Sequence, residues 1–410
     1  MERFQGLDSL MSTFGLDKAK NFQAYWNEVM ARNENQDLNI EGFVWDAPQI
    51  DFTYEMLEAT AKVEVMATYV SLESPALPAG KQTALTKLTG SIPRQKYTIV
   101  RGENDYRKEL IALNEIKAIA AYANRSETQA VREYLAKTLF TTLVDLPNAH
   151  KNSLNYQVGQ AKSTGKLVIN DKNNPRGIKG VTIDFNVPAG NTMAKKWFTR
   201  NATNQTFVAN ADANPVEDLR DFITELRLKA NGYQNVCVEM SERWFNKLLK
   251  HPAVLTAIGY AMTGLGLRYS KANDDNAVAV AKGASPEAQR NYFKQVIDAD
   301  ELILNRTQCG VEKINAATKR FDQELLSAFE DEVVLVRPSG TIGVIKNVAT
   351  MRPDGSAIYA DIFGGRGIVE YLYNADTRTQ TWRSEMTYLA VPNRPKDMYY
   401  FKGVEETSGE

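Results

Sequence analysis

The chain has 410 residues, 43% hydrophobic, 24% charged and 10% aromatic, with a formal net charge of -1. This is ordinary globular composition with apolar material for two or three cores, and no overall basic field draws it to nucleic acid or an acidic membrane. Two Cys, Cys237 and Cys309, exclude a disulfide framework and read as buried thiols, while two His, His150 and His251, leave little from which to build a zinc site or a His-centred triad.

The opening MERFQGLDSLMSTFGLDKAK lacks a basic segment followed by an apolar run, so it does not read as a signal peptide. No stretch reaches 18 uninterrupted apolar residues, so no transmembrane helix is expected, and the protein is expected to be made and used in the cytoplasm, at least initially. Residues 16–32 place Phe22, Trp26 and Val29 on one side of a short amphipathic helix. NENQDLN then breaks the pattern, and Gly42 and Pro48 argue against any regular element in GFVWDAPQIDF. Residues 1–62 therefore predict an arm with one small helix.

Residues 63–72 are β-compatible, and KYTIV at 96–100 is strand-like again. Between them runs a stretch rich in Thr, Pro, Gly and Lys, longer than compact domains normally leave without structure. Two extended limbs joined by PALPAGK make a polar ribbon, and an isolated ribbon is marginally stable in water. It needs a neighbour.

From Asp105, Tyr106, Leu110, Leu113, Ile116 and Ile119 repeat at helical steps, which predicts one buried face. Ser126 to Gln129 can form a capping box, and Val131, Tyr134, Leu135, Thr138 and Leu139 continue the pattern. Residues 105–145 are one spine of about 60 Å, or two stacked helices, with Asn124 deciding which. GKLVIN and KGVTIDFNV flank the turn-forming DKNNPRG and predict a hairpin.

Asn214, Pro215, Glu217 and Asp218 spell a helix start, and KANG ends that helix at Gly232. Strand NVCVEM follows. Ser241 caps the next helix, which Pro252 interrupts, and Ser285 and Pro286 open another. Strands ELILN, DEVVLVR and TIGVIKN come after, so residues 214–380 predict a mixed α/β domain. In the tail, Thr381, Arg383, Glu385 and Thr387 alternate with Trp382, Ser384, Met386 and Tyr388, as in a strand that returns to the earlier β region.

Chemistry finds little support. FGGRG at 363–367 lacks a following helix start and a Lys-Ser or Lys-Thr pair, so it reads as a turn, and GLGLR at 264–268 fails the same test. Asp274 and Asp275 lack the Glu of an EF-hand and read as a solvated loop. Lys172, Arg176 and Lys179 gather near a hairpin tip without aromatics to stack bases. No Ser has a plausible His partner. No catalysis, cofactor or metal is expected.

The words SPALPAGK…TGSIPRQKYTIVRGENDYRKEL, LRLKANGYQNVCVEMSERWFNKLLKHPAV and VVLVRPSGTIGVI, in this order of elements, resemble the major capsid proteins of tailed bacteriophages. These share the Hong Kong 97 fold, and the resemblance is to its lambda-type branch. It implies an α+β fold: N-terminal arm 1–62, extended loop 63–103, peripheral domain 104–213 with the long spine helix, inserted α/β axial domain 214–380, and return strands and tail 381–410. Residues 71–96 would lie across a neighbouring subunit. The resemblance implies self-assembly into hexamers and pentamers of an icosahedral shell that encloses double-stranded DNA without sequence-specific binding. The subunit would be made in the host bacterial cytoplasm and end in the virion capsid. The implied partners are further copies of the chain, a separate scaffolding protein, a portal and a decoration protein. Phe22, Trp26, Trp45, Pro78, Gly80, Lys81, Lys87, Arg94 and Tyr97 are the candidates for contact between subunits, Phe22, Trp26 and Trp45 being equally able to fold back on their own core. The family's type member crosslinks a loop Lys to an Asn with help from a Glu. Lys81, Lys87 and Asn393 are available here, but no spacing identifies a reactive trio, so no crosslink is expected. Two other readings stay open: an encapsulin-like nanocompartment shell, and an α/β enzyme with carboxylate chemistry in 214–380.

Overall fold

Two six-stranded sheets carry the molecule, and one helix lies between them. The computed structural model describes residues 19–33, 38–58, 86–123, 126, 129–130, 144–175, 177, 179–201, 206–229, 235–264, 271–315, 317–318, 321–352, 358–374 and 379–407. In chain order the elements are α1 (Ala19–Asn33), β1 (Phe43–Trp45), β2 (Thr53–Glu58), β3 (Thr86–Ser91), β4 (Arg94–Arg101), α2 (Glu103–Tyr122), α3 (Asp145–Thr164), β5 (Lys166–Ile169) and β6 (Val181–Asp184). Then come β7 (Thr192–Asn201), β8 (Phe207–Ala209), α4 (Pro215–Lys229), β9 (Val236–Ser241), α5 (Glu242–Leu248), α6 (Pro252–Thr263), α7 (Lys271–Gly283) and α8 (Pro286–Val296). The rest is β10 (Glu301–Asn305), β11 (Gln308–Ile314), β12 (Phe321–Ser327), β13 (Val333–Pro338), β14 (Gly343–Val348), β15 (Ile358–Ile362), β16 (Gly367–Asn374), β17 (Thr379–Pro392) and β18 (Tyr399–Thr407).

The first sheet runs β1-β14-β17-β16-β15, with β4 also paired to β17. The second runs β10-β9-β13-β18-β7-β8, and β2–β3, β5–β6 and β11–β12 form separate two-stranded ribbons. Each sheet has its own core. Phe22, Trp26, Leu154, Ile345, Trp382 and Tyr388 belong to the first, and Trp197, Ile223, Val238, Phe245, Phe293 and Phe401 to the second.

The α+β class follows the sequence reading, but the ribbon is built from other limbs: β2, within the expected arm, pairs with β3, while KYTIV, expected as a ribbon limb, lies in β4 and pairs with β17, a partner too far along the chain for local pattern to reveal. The spans 104–213 and 214–380, however, do not each keep to one sheet: β7 and β8 join the second sheet, while β14, β15 and β16 join the first. Chain connectivity crosses between the sheets where composition gives no sign of it.

Local grammar held where caps are explicit. The Asn214 side chain accepts from the Val216 and Glu217 amides at 3.2 and 3.4 Å, Ser241 caps α5 through the Trp244 amide and Ser285 caps α8 through that of Ala288. The expected hairpin is β5–β6, paired Lys166↔Asp184 through Ile169↔Val181. Gly232 lies outside the described residues.

Of the two alternatives for residues 105–145, the structure follows the one with a break: α2 stops at Tyr122 with its cap at Ala123, and residues 131–143 lie outside the described set. Of its expected buried face, Ile116 is half-buried and Ile119 is exposed. Two expectations are corrected. The segment with Gly42 and Pro48 contains a strand, β1, held parallel to β14. Asp274 and Asp275 sit in α7, where Asp274 accepts a 2.7 Å bond from the Tyr260 hydroxyl.

The helix that the pattern missed is α3. It buries Leu146, Leu154, Val158 and Ala161, but also His150, Lys151, Asn155, Gln157 and Lys162. It packs against β17 of the first sheet and β13 of the second. A helix covered on opposite sides has no solvated stripe, so its apolar residues do not fall on one face. Gly165, at φ 66°, ends it in the left-handed conformation that a Cβ disfavours.

Candidate functional site

The candidate place for assembly contacts is the ribbon. β2 and β3 pair antiparallel from Thr53↔Ser91 to Glu58↔Thr86, and residues 59–85 between them lie outside the described set. At the base, Tyr54 is buried beneath Gly90, where an added Cβ would come within 2.7 Å of the ring. The chain turns through buried Ile92 into β4, which joins β17 in register Arg94↔Thr387 to Arg101↔Gln380. Glu385 of β17 anchors this turn: it is paired with Arg94, and with Lys96 at 3.1 Å.

The nine candidate contact residues separate into three groups. Phe22 and Trp26 are fully buried in the chain's own core, with Phe22 stacked on Trp382 at 5.9 Å, so both are corrected from intersubunit candidates to core residues. Burial on their own β sheet removes the aromatic surface that made them plausible contacts. Trp45 is half-buried, edge-on to Tyr388 at 6.4 Å and beneath the Arg366 guanidinium at 4.9 Å. Arg94 and Tyr97 are both on β4 but on its opposite faces, Arg94 with its side chain 51% exposed and Tyr97 partly buried against the first core. Lys87 is in β3 opposite Leu57. Pro78, Gly80 and Lys81, and the limb expected at 63–72, lie outside the described residues.

A second polar site went unforeseen, deep where α3 meets the second sheet. Lys162 of α3 lies 2.8 Å from Glu239 of β9, and Arg337 of β13 donates to the other Glu239 oxygen at 3.1 Å. Lys162, Glu239 and Arg337 are all almost wholly buried. Asn305 donates to Glu239 at 2.8 Å, and Asn39 donates to both Asn305 and Thr307 at 3.1 Å. Burial acts to raise the Glu239 carboxyl, but Lys162, Arg337 and the Asn305 amide overcome it and hold the group below the usual carboxylate range. A cavity of about 10 Å³ beside Lys162, lined by Asn39, Asn155, Asn305 and Thr307, has room for one water at most. The signal was present in sequence as a charge at alternate positions of apolar strands, Glu239 in VCVEM and Arg337 in VVLVR. Strand alternation puts both on the face opposite Val238, Val334 and Val336, which fill the second core.

One Ser does have a His partner, contrary to expectation: the Ser384 hydroxyl and His150 Nε2 are 3.0 Å apart. Both are buried, and burial pushes the His150 imidazole down to about 4, so it is a neutral packing group that no substrate reaches. FGGRG is the turn between β15 and β16, with Phe363, Gly364 and Gly365 at positive φ. Cys237 and Cys309 are both buried, and burial pushes both thiols up to about 12. Among the described residues no cluster of three His, Cys, Asp or Glu could hold a metal, and no helix is long and apolar enough to cross a membrane.

Comparison with known proteins adds one decisive match. The family model described as phage major capsid protein E matches residues 41–319. A search of curated proteins found no match. Among solved structures, a phage-related protein from Bordetella bronchiseptica RB50 is 9% identical, with 93% of this chain and 96% of that one covered at a TM-score of 0.42. The satellite phage P4 procapsid with its size determination protein is 8% identical, covering 94% and 99% at 0.41. The mature capsid of bacteriophage PhiM1 is 12% identical, covering 90% and 87% at 0.36. Likenesses this distant support no inference by themselves.

Proposed function

The chain belongs to the phage major capsid protein E family, and from that membership we propose that it self-assembles into the icosahedral shell of a tailed phage. The family match over residues 41–319 carries this reading. Hexamers and pentamers of the chain are the building units, and the shell encloses double-stranded DNA. A net charge of -1 suits a wall that must not grip DNA, because many phosphate contacts would make the binding tight and salt-dependent. A separate scaffolding protein and a portal are the further partners, and the host bacterial cytoplasm is the site of assembly.

In this reading the first sheet with α1 and α3 is the peripheral unit of a Hong Kong 97 fold, and the second sheet with α4 to α8 is the axial unit. The extended loop 63–103 reaches a neighbouring copy, with residues 71–96 lying across it. Arg94, Tyr97 and Trp45, with Lys87 in β3, are contact candidates, as are Pro78, Gly80 and Lys81 of the same loop. The separate pairing of β2 with β3 supports this, since a two-stranded ribbon gains stability from added strands or burial. A cellular nanocompartment shell would use the same kind of architecture, but the phage capsid family match does not favour it.

Size-exclusion chromatography with light scattering, followed by negative-stain microscopy of the largest species, tests the proposal. Shells, hexamers or pentamers are the expected result. A stable monomer whose 59–85 segment resists protease would overturn it.

A further inference from the structure

The two sheets are joined directly by two short connections. β13 leaves the second sheet at Pro338, and β14 starts in the first at Gly343. β17 leaves the first sheet at Pro392, and β18 starts in the second at Tyr399. These connections touch, the Asn393 amide donating to the Ile342 carbonyl at 2.8 Å. Two adjacent strand crossovers make a hinge line, because rotation about them breaks few other backbone hydrogen bonds.

Arg337 sits on that line. Besides Glu239, its guanidinium donates to the Pro338 carbonyl at 3.1 Å and the Gly340 carbonyl at 3.4 Å, both in the crossover itself. Gly42, from the segment entering β1, also lies against it: a Cβ there would meet the Arg337 nitrogen at 3.5 Å. Glu239 then ties Arg337 to Lys162 on α3, the helix packed on the first sheet. Among the described residues, Phe329, Val333, Leu335, Met398 and Tyr400 with Val187 form an apolar cluster that includes Val333 and Leu335 from the same face of β13 as Arg337. Apolar contacts are non-directional and tolerate sliding, whereas a buried ion triad with satisfied hydrogen bonds has one good geometry.

We propose that Lys162, Glu239 and Arg337 form a buried lock that fixes the angle between the two sheets. The angle of the free subunit is then set before assembly, and under the capsid reading of the preceding subsection this lock helps to set shell curvature. The three are positioning residues. Their role is separable from simple stability, because exchanging a whole buried ion group for apolar residues is often neutral or stabilising, whereas deleting one partner strands a charge.

The experiment measures the inter-sheet distance on dispersed full-length subunits. Val208 of β8 and Met351 after β14 are exposed and lie on the second and first sheets' sides, so Val208→Cys with Met351→Cys supplies two spin-label sites. The native thiols are buried. Pulsed electron-spin distance measurement is expected to give a single narrow distribution for the parent. Replacing the triad together, Lys162→Met, Glu239→Leu and Arg337→Met, is expected to shift or broaden it by more than the parental width while the unfolding transition stays cooperative. Arg337→Lys keeps the charge but loses the planar fork that holds the crossover carbonyls, and it is expected to broaden the distribution even if the triple variant does not fold. An unchanged distribution in folded Arg337→Lys or in the folded triple variant overturns the lock, whatever the parent assembles into. Shell diameters by microscopy are the second readout: broadened distances with unchanged shells remove the link to curvature. Broadened distances in a parent that forms no shells would leave the lock standing and overturn the capsid reading instead.

Discussion

His150 gives a direct link between burial and pH. Burial holds its imidazole at about 4 in the folded chain, against 6.5 for the unperturbed group. Between these values the unfolded chain binds a proton that the folded chain refuses, so stability is lost as pH falls from 6.5 toward 4. The loss attributable to this group approaches about 3 kcal/mol. His251 is also pushed down by burial and adds in the same direction. His150→Gln removes one titrating group, so urea midpoints measured from pH 7 to 4.5 should fall less steeply in the variant than in the parent. Equal slopes would mean that His150 gains access to water. Phe22 tests the arm in a comparable way. It lies fully buried between Trp26 and Trp382, and Phe22→Ala should cost about 3–5 kcal/mol. An effect below 1 kcal/mol on the unfolding midpoint would show that α1 leaves its seat easily in solution.

At the scale of elements, α3 decides how the two sheets come together, and its tightest point is Gly159. A Cβ there would lie 2.3 Å from the Ala328 carbonyl oxygen, which is backbone and has little freedom to retreat. Gly159→Ala gains helix propensity of about 1 kcal/mol yet should still destabilise by about 1–3 kcal/mol through overpacking. Chemical denaturation would show the sign, and a stabilised variant would mean the helix can shift away from residues 327–330. This element also marks the limit of what the sequence discloses. Caps at Asn214, Ser241 and Ser285 were legible because they act on amides within three residues. The β5–β6 hairpin was legible because its turn residues are local as well. α3 was not, since contacts on opposite sides erase the amphipathic stripe, and Lys151, Asn155 and Lys162 look like surface residues until their partners are known. β1 stayed hidden because parallel pairing with a strand some 300 positions later outweighs the local effect of Gly42 and Pro48. Of the candidate contact residues, Arg94 and Tyr97 share β4 but point to its opposite faces, while Phe22 and Trp26 were drawn inward: an exposed and a buried aromatic have the same letter.

For the whole molecule, the central question is whether the ribbon serves the subunit or the assembly. Among the described residues, Phe22, Trp26, Tyr54 and Ile92 pack into the first core, and the second draws on residues from 193 onward. The ribbon base ends with Glu58 directly opposite Thr86. Strand ends in that register can be joined by a two-residue Asn-Gly turn, which suits the right-handed twist of a hairpin. Replacing residues 59–85 by Asn-Gly should therefore leave the thermal midpoint of the dispersed subunit within the range of a surface change, about 0.5 kcal/mol. Assembly should respond differently. A shell subunit that has lost the segment reaching its neighbour gives up burial and strand partners at every contact, so the variant is expected to remain monomeric or stop at small oligomers. Light scattering and microscopy of parent and variant in parallel separate the possibilities. Intact shells from the shortened chain would show that other surfaces hold the copies together, while loss of the folded subunit would return residues 59–85 to its own core.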